Sequence, residues 1–366
     1  MANLVIKGGH VVGPHTDRLT NIWVTGNKIA AVGDDFESAE GNWQVIDASG
    51  SFVTPGLFDI QVNGDGDCDL WADPLPNQIA QLKSNLLRHG VTSFLPTLIT
   101  DDIDHLKKNM AFLASQGLGL KAINGTVNTS AMVGIHLEGP FLSPEKPGVH
   151  PPQHLQPLSS EAVADLVNDK VALITLAPEL EPDSKAVDYL VKRGTVVSLG
   201  HSNATFAEAQ KAFGRGVKMM THTFNALPAL KHRGPGAVGA ALLDDSVSCC
   251  VIADGLHVDP PMVKMLVRSK GFDKVILVSD AAHIGTTAGD LVGSSITLDD
   301  AVRNVVKWQV ADFAQAIKMA SFNPAQALCL EHVIGQLEVD CLADIVIWDR
   351  QHLTVRHVIK NGQMAF

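Results

Sequence analysis

Five segments of the chain place metal-binding or proton-moving side chains at the end of an apolar, β-branched run. They are His136-Leu137-Glu138-Gly139-Pro140, Gly200-His201-Ser202-Asn203, Thr221-His222-Thr223-Phe224-Asn225, Asp254-Gly255-Leu256-His257 and Ser279-Asp280. A Zn²⁺-class ion favours imidazole nitrogen and carboxylate oxygen, and a catalytic site keeps three protein ligands with one position open to water. Glu138, His201 and His222 meet that count. Their separations, 63 and 21 residues, match no local ligand motif, so the grouping rests on their shared place at run ends. The alternative is histidines hydrogen-bonded in a core beside a salt-bridged glutamate.

Asp280 follows Val275-Ile276-Leu277-Val278, which sets a carboxylate beside the open position. It is the natural base there, taking a proton from water acidified by the ion and returning it to a leaving nitrogen, although an aspartate capping the next turn has the same local sequence. His150 stands in the loop Pro147-Gly148-Val149-His150-Pro151-Pro152, too broken for a helix or central strand. Over the site it polarises a substrate carbonyl; elsewhere it is a loop residue. Lys231-His232-Arg233-Gly234-Pro235-Gly236 gathers cations on a flexible loop of an otherwise acidic chain. This suits an anionic substrate gripped by Arg233, the alternative being a solvated turn.

Elements must bring these side chains together. Between residues 52 and 282, short apolar runs alternate with amphipathic stretches, the pattern of repeated βα units. Eight runs are expected as strands, at 57–63, 92–97, 133–139, 172–179, 195–202, 217–225, 248–255 and 275–282, with helices such as 76–89, 101–116 and 205–214 between them. Eight closes a (β/α)₈ barrel of TIM type, whose chemistry sits at the carboxyl ends of its strands. Further helices are expected at 312–320 and 323–330. The stretches 4–12, 22–32, 44–53 and 334–362 read as strands parted by turns, without helices. The expectation is therefore an α/β chain in which residues 54–333 form the barrel, while 1–53 and 334–366 pair into a small β-sandwich domain.

The 366 residues allow a large barrel with a satellite. No run of about 18 apolar residues offers a membrane span, and the N-terminus lacks the regions of a signal peptide, so a cytoplasmic location is expected. Cys249 and Cys250 are adjacent in an apolar run and no Cys-x-x-Cys pair occurs, which argues for reduced core thiols. A net charge of −11 opposes nucleic-acid binding.

Taken with Pro55-Gly56-Leu57-Phe58-Asp59-Ile60-Gln61-Val62-Asn63-Gly64, Leu176-Ala177-Pro178-Glu179, Asn323-Pro324-Ala325 and Ala343-Asp344-Ile345-Val346-Ile347, these run ends resemble the N-acetylglucosamine-6-phosphate deacetylases of the amidohydrolase superfamily. The resemblance spans nearly the whole chain. It implies a barrel with a small β domain, a metal held by Glu138, His201 and His222, and Asp280 as general base and acid. It also implies that His150 contacts the acetyl carbonyl and that Asn225 and the Ala226 backbone hold the sugar phosphate. His257 and Arg233 would bind substrate too, the arginine across a homodimer interface.

Many superfamily members carry His-x-His after the first strand, where Gln61 and Asn63 stand here. Neutral amides are poor ligands, so one divalent ion per subunit is expected, Zn²⁺ by preference with Fe²⁺, Co²⁺ or Mn²⁺ as alternatives. The loop after Asp280, residues 281–286, departs from the family's wording, and His283 is read as a loop residue rather than a substrate contact. Three other functions are weighed. A cyclic-amide hydrolase fits poorly without His-x-His, a deacetylase of N-acetylgalactosamine 6-phosphate differs by one hydroxyl, and a non-catalytic sugar-phosphate-binding barrel would not need Asp280.

Overall fold

The β-branched runs at both chain ends meet in one sheet. In the computed structural model, which describes residues 3–36, 42–119, 123–124, 127–181, 183–283 and 291–366, the chain opens with β1 (Asn3–Val12), β2 (Asp17–Thr25), β3 (Lys28–Val32), β4 (Gln44–Asp47) and β5 (Ser51–Pro55). It continues through β6 (Leu57–Val62), the short hairpin β7 (Gly64–Asp65) and β8 (Cys68–Asp69), β9 (Val91–Ile99), β10 (Ala131–Met132) and β11 (Ile135–Glu138). Then follow β12 (Val171–Leu176), β13 (Val196–Leu199), β14 (Met219–Met220), β15 (Ser248–Ile252) and β16 (Val275–Val278). It closes with β17 (Ile345–Asp349), β18 (Val355–Lys360) and β19 (Gln363–Met364).

The terminal strands form a mixed sheet in the order β19-β18-β17-β5-β1-β2-β3, with β4 also on β1. Its seam is the antiparallel pair β5–β17, from Pro55 opposite Ile345 to Ser51 opposite Asp349. Trp348 Nε1 donates to Thr54 Oγ1 across the seam at 2.8 Å. Lys360, fully buried, pairs with Asp344 at 2.5 Å.

All eight expected barrel strands are present and parallel, in the order β6-β9-β11-β12-β13-β14-β15-β16. The third is broken into β10 and β11, both on β9. The break has a cause: a Cβ at Gly134 would meet Ala172 Cβ at 2.5 Å, so the backbones approach closely there. Closure is made at the carboxyl ends, where Val62 bridges Ala281 and the amides of Asn63 and Gly64 donate to the Ala281 carbonyl at 2.7 and 3.1 Å.

Two residues along a strand return to the same face. Leu95, Leu173 and Met219 belong to one apolar cluster. Two positions later come Thr97, Thr175 and Thr221, which share a buried hydrogen-bonded layer with His136 and Ser198. The strands thus change from apolar to polar as they approach their carboxyl ends. Burial holds the His136 imidazole down at about 4, so it serves this layer as a neutral ring.

Helices Pro76–Arg88, Ile103–Ser115 and Phe206–Gly214 fall where expected. Asp102 and Thr205 cap the second and third with side-chain acceptors. The helix Phe313–Ala320 also matches its expected span, but the next one, Phe322–Ala327, ends three residues before the expected position 330, and Cys329 is already at φ 57°. Among the described residues, no helix is long and apolar enough to cross a membrane.

Candidate active site

Three of the strands that carry site residues run into an uncommon backbone turn. His201, His222 and Asp280 have φ of 47°, 27° and 50°, and Ala226 has 50°. Such values cost a non-glycine residue on the order of 1 kcal/mol or more, and they persist where surrounding contacts fix them. Here the turn swings each side chain off its strand and over the barrel mouth.

Glu138, the last residue of β11, is the centre of this arrangement. Its Oε1 lies 2.9 Å from His222 Nε2 and 3.2 Å from His201 Nε2. The two ring nitrogens are 3.2 Å apart. His201 Nδ1 donates to the Lys146 carbonyl at 3.0 Å, which leaves Nε2 with its lone pair facing Glu138 and His222. His222 Nδ1 is buried with no partner among the described residues.

These groups fit a cation. Ligands of a tetrahedral ion at about 2.0–2.1 Å stand about 3.3 Å from one another, close to the three spacings just given. Two imidazole nitrogens and a carboxylate directed at one point repel one another unless a positive charge lies between them. The titrations express the same demand. Burial would raise the Glu138 carboxyl, but hydrogen bonds and charge from His201 and His222 outweigh it and hold the group well below the usual carboxylate range. Burial would lower His222, but Glu138 outweighs it and holds the ring up.

Glu138, His150 and His201 also place one ligand atom each within 4.8 Å of one another. The hydrogen bonds of His150 decide against that set. The Thr100 amide can only donate, and it reaches His150 Nδ1 at 3.2 Å, with Thr100 Oγ1 at 2.9 Å. Nδ1 therefore accepts, and the proton of the ring sits on Nε2. Burial, followed by the charge of His201, pushes His150 down to about 3, so the ring is neutral. A protonated Nε2 has no lone pair for a cation; it is a hydrogen-bond donor.

Gln61 and Asn63 stand beside the carboxylates as donors. Gln61 Nε2 reaches Glu138 Oε2 at 3.3 Å, and Asn63 Nδ2 reaches Asp280 Oδ1 at 2.7 Å. Asp280 is raised to about 7, by burial first and then by the charge of Glu138. That is the range in which a carboxylate exchanges protons near neutrality.

One cavity of about 380 Å³ is lined by Glu138, His150, His201, His222, Asn225, Ala226, His257 and Asp280, along with Asn63 and Trp71. Eight of the nine residues singled out by sequence thus share one wall-to-wall space. His257 is held there by Asp254, whose carboxylate lies 2.6 Å from Nδ1 and accepts from the His257 amide. Arg233 is the ninth; it is exposed on the Lys231–Gly234 turn and lies outside this lining. His283 is exposed and its ring contacts the Gly66 carbonyl, also outside the cavity. Residues 284–286 of the departing loop lie outside the described residues. Sequence reasoning missed Thr100, Trp71 and the Lys146 carbonyl. Thr100 has the one usable signal, its place just past the end of β9.

The amidohydrolase family model matches residues 52–365. N-acetylglucosamine-6-phosphate deacetylase of Danio rerio is 33% identical over 88% of this chain and 86% of that protein. The enzyme of the same name from Lysinibacillus sphaericus is 31% identical over 99% of this chain and 97% of its own. Among solved structures, the N-acetylglucosamine-6-phosphate deacetylase of Pasteurella multocida superposes with a TM-score of 0.89 at 28% identity, covering 99% of both chains.

Proposed function

The chain belongs to the amidohydrolase family, and from that premise we propose that it hydrolyses N-acetylglucosamine 6-phosphate to glucosamine 6-phosphate and acetate. The observation that carries this reading is the convergence of Glu138, His201, His222 and Asp280 on one cavity, in a chain 33% identical to such a deacetylase. Glu138, His201 and His222 would hold one divalent ion, Zn²⁺ by preference. Bound there, that ion supplies the positive charge that acidifies water and polarises an amide carbonyl.

The chain's own residues do the rest. Asp280 takes the proton of the attacking water and hands it to the departing nitrogen, which its position near neutrality suits. His150 directs its Nε2–H at the acetyl oxygen and strengthens that bond as charge develops. The Asn225 side chain and the Ala226 amide hold the phosphate, and His257, steadied by Asp254, meets the sugar. Arg233, exposed on its own subunit, reaches the phosphate of a partner in a homodimer. In this division, residues 54–333 carry the chemistry, and 1–53 with 334–366 support it.

The test is acetate release from N-acetylglucosamine, its 6-phosphate, and the galacto and manno epimers of that phosphate, with protein of known metal content. The gluco 6-phosphate should be the preferred substrate. Equal turnover of the galacto epimer would broaden the assignment, and no release from any of them would overturn it.

A further inference from the structure

The tight turn after β6 brings an indole to the base. Gly64 is needed there because a Cβ would meet the Cys68 carbonyl at 2.2 Å. The hairpin β7–β8 folds back, and the Leu70 amide donates to the Asn63 carbonyl at 3.0 Å. This places Trp71 on the cavity wall with its Nε1 3.2 Å from Asn63 Oδ1. The opposite end of the same amide, Nδ2, donates to Asp280 Oδ1 at 2.7 Å.

An asparagine side chain could turn either end toward Asp280. An oxygen facing the carboxylate would repel it, whereas an NH₂ would hold it. Indole N–H is a donor with no acceptor capacity, so the end of Asn63 that faces it must be oxygen. The indole therefore selects the orientation of the amide, and the amide fixes one carboxylate oxygen. Asp280 Oδ2 has no hydrogen-bond partner among the described residues and stays available to the cavity.

We propose that Trp71 and Asn63 are positioning residues: a two-bond chain from indole to amide to carboxylate aims the free oxygen of Asp280 at the attacking water. This rests on Asp280 acting as the base. The chain explains why a neutral amide at position 63 serves here, since Asn63 both accepts from Trp71 and donates to Asp280, and it gives the wall tryptophan a duty beyond lining.

Trp71→Phe keeps an aromatic wall and removes the N–H. The expected result is a kcat about tenfold lower with KM within about twofold. Asn63→Ala should cost about 100-fold in kcat, and the double variant should be no worse than Asn63→Ala alone, because the first bond acts only through the second. A readout independent of turnover is the indole N–H resonance of ¹⁵N-labelled wild-type protein, assigned by its loss in Trp71→Phe. It should exchange with solvent about tenfold faster in Asn63→Ala. Wild-type-like kcat in Trp71→Phe, multiplicative losses in the double variant, or an indole proton indifferent to Asn63 would each overturn the proposal. Asp280→Asn separates the two readings: its retention of turnover sinks the base itself, whereas a dead Asp280→Asn beside an unimpaired Trp71→Phe sinks the positioning chain alone.

Discussion

Two carboxylates within the same barrel mouth are given different tasks by their neighbours. Glu138 faces two imidazoles and is held ionised, while Asp280 is buried beside that negative charge and is raised to about 7. Asp280→Asn should therefore lower kcat by about 10³-fold while one equivalent of metal stays bound, measured by acetate release and elemental analysis of the same sample. Glu138→Ala should lose both metal and activity. Two equivalents of metal in fresh wild-type protein would contradict the donor roles seen for Gln61 and Asn63.

Asp59 gives a separate titration, remote from the ligands in role. It is fully buried, accepts from the amides of Gln61 and Ser279, and its Oδ2 has no partner among the described residues. Burial raises its carboxyl from 3.8 to about 6. The unfolded chain releases this proton near 3.8, and the native protein keeps it until about 6, so native stability falls as pH rises through that window and is level above it. Asp59→Asn should remove a penalty of about 3 kcal/mol at pH 8. Its advantage in thermal midpoint over wild type should grow between pH 4 and 6, and a constant difference across that range would discard the argument.

Donor type was legible in the sequence, and donor partners were not. Histidine and glutamate at run ends announce a cation site by chemistry alone. Thr100 and Lys146 act through a main-chain amide and a carbonyl, which leave no mark in a residue pattern. Arg233 was legible as a cation, whereas its place outside the cavity of its own chain was implied by the family resemblance alone.

At the scale of the element, strand ends decide where chemistry stands. The eight expected runs all became strands, yet most were drawn too long at the carboxyl end. The sixth was expected over 217–225 and is a strand only at Met219–Met220. Thr221 to Asn225 continue the composition of a strand, but His222 and Phe224 adopt φ of 27° and 82°, which no glycine or proline advertises. What the pattern took for strand is the turn that carries His222 into the cavity.

Gly200 tests this placement, since it precedes His201 and lies between strands. A Cβ there would meet Thr175 Cγ2 at 2.6 Å and Thr221 Cβ at 2.9 Å. Gly200→Ala should push β13 from both neighbours, cost about 1–3 kcal/mol, and weaken metal retention under dialysis against chelator. Full retention with an unchanged melting temperature would mean the strand end yields without moving His201.

Across the whole molecule, the two chain ends meet at the β5–β17 seam, and a buried ion pair holds the C-terminal side of it. Lys360 and Asp344 are almost without solvent contact, and Asp344 also accepts from the Asn361 amide at 2.9 Å. Removing one partner strands a charge, so Lys360→Ala should cost about 3–5 kcal/mol. Lys360→Met with Asp344→Asn should recover much of it, read as thermal midpoints of the three proteins. Equal midpoints for Lys360→Ala and wild type would show the pair to be dispensable. Pairing of the two ends was legible because each alone is too short for a core, whereas the ion pair beside the seam was not, because a lysine in sequence gives no sign of burial.

The barrel's first and eighth strands are joined at Val62 and Ala281, and the same junction lays Asn63 against Asp280, residues 217 apart in the chain. A folding intermediate with seven strands in place would look nearly native to most probes, yet Asp280 would lack its Asn63 anchor. Regained turnover during renaturation should consequently lag behind regained ellipticity, timing the arrival of the contact that closes the barrel.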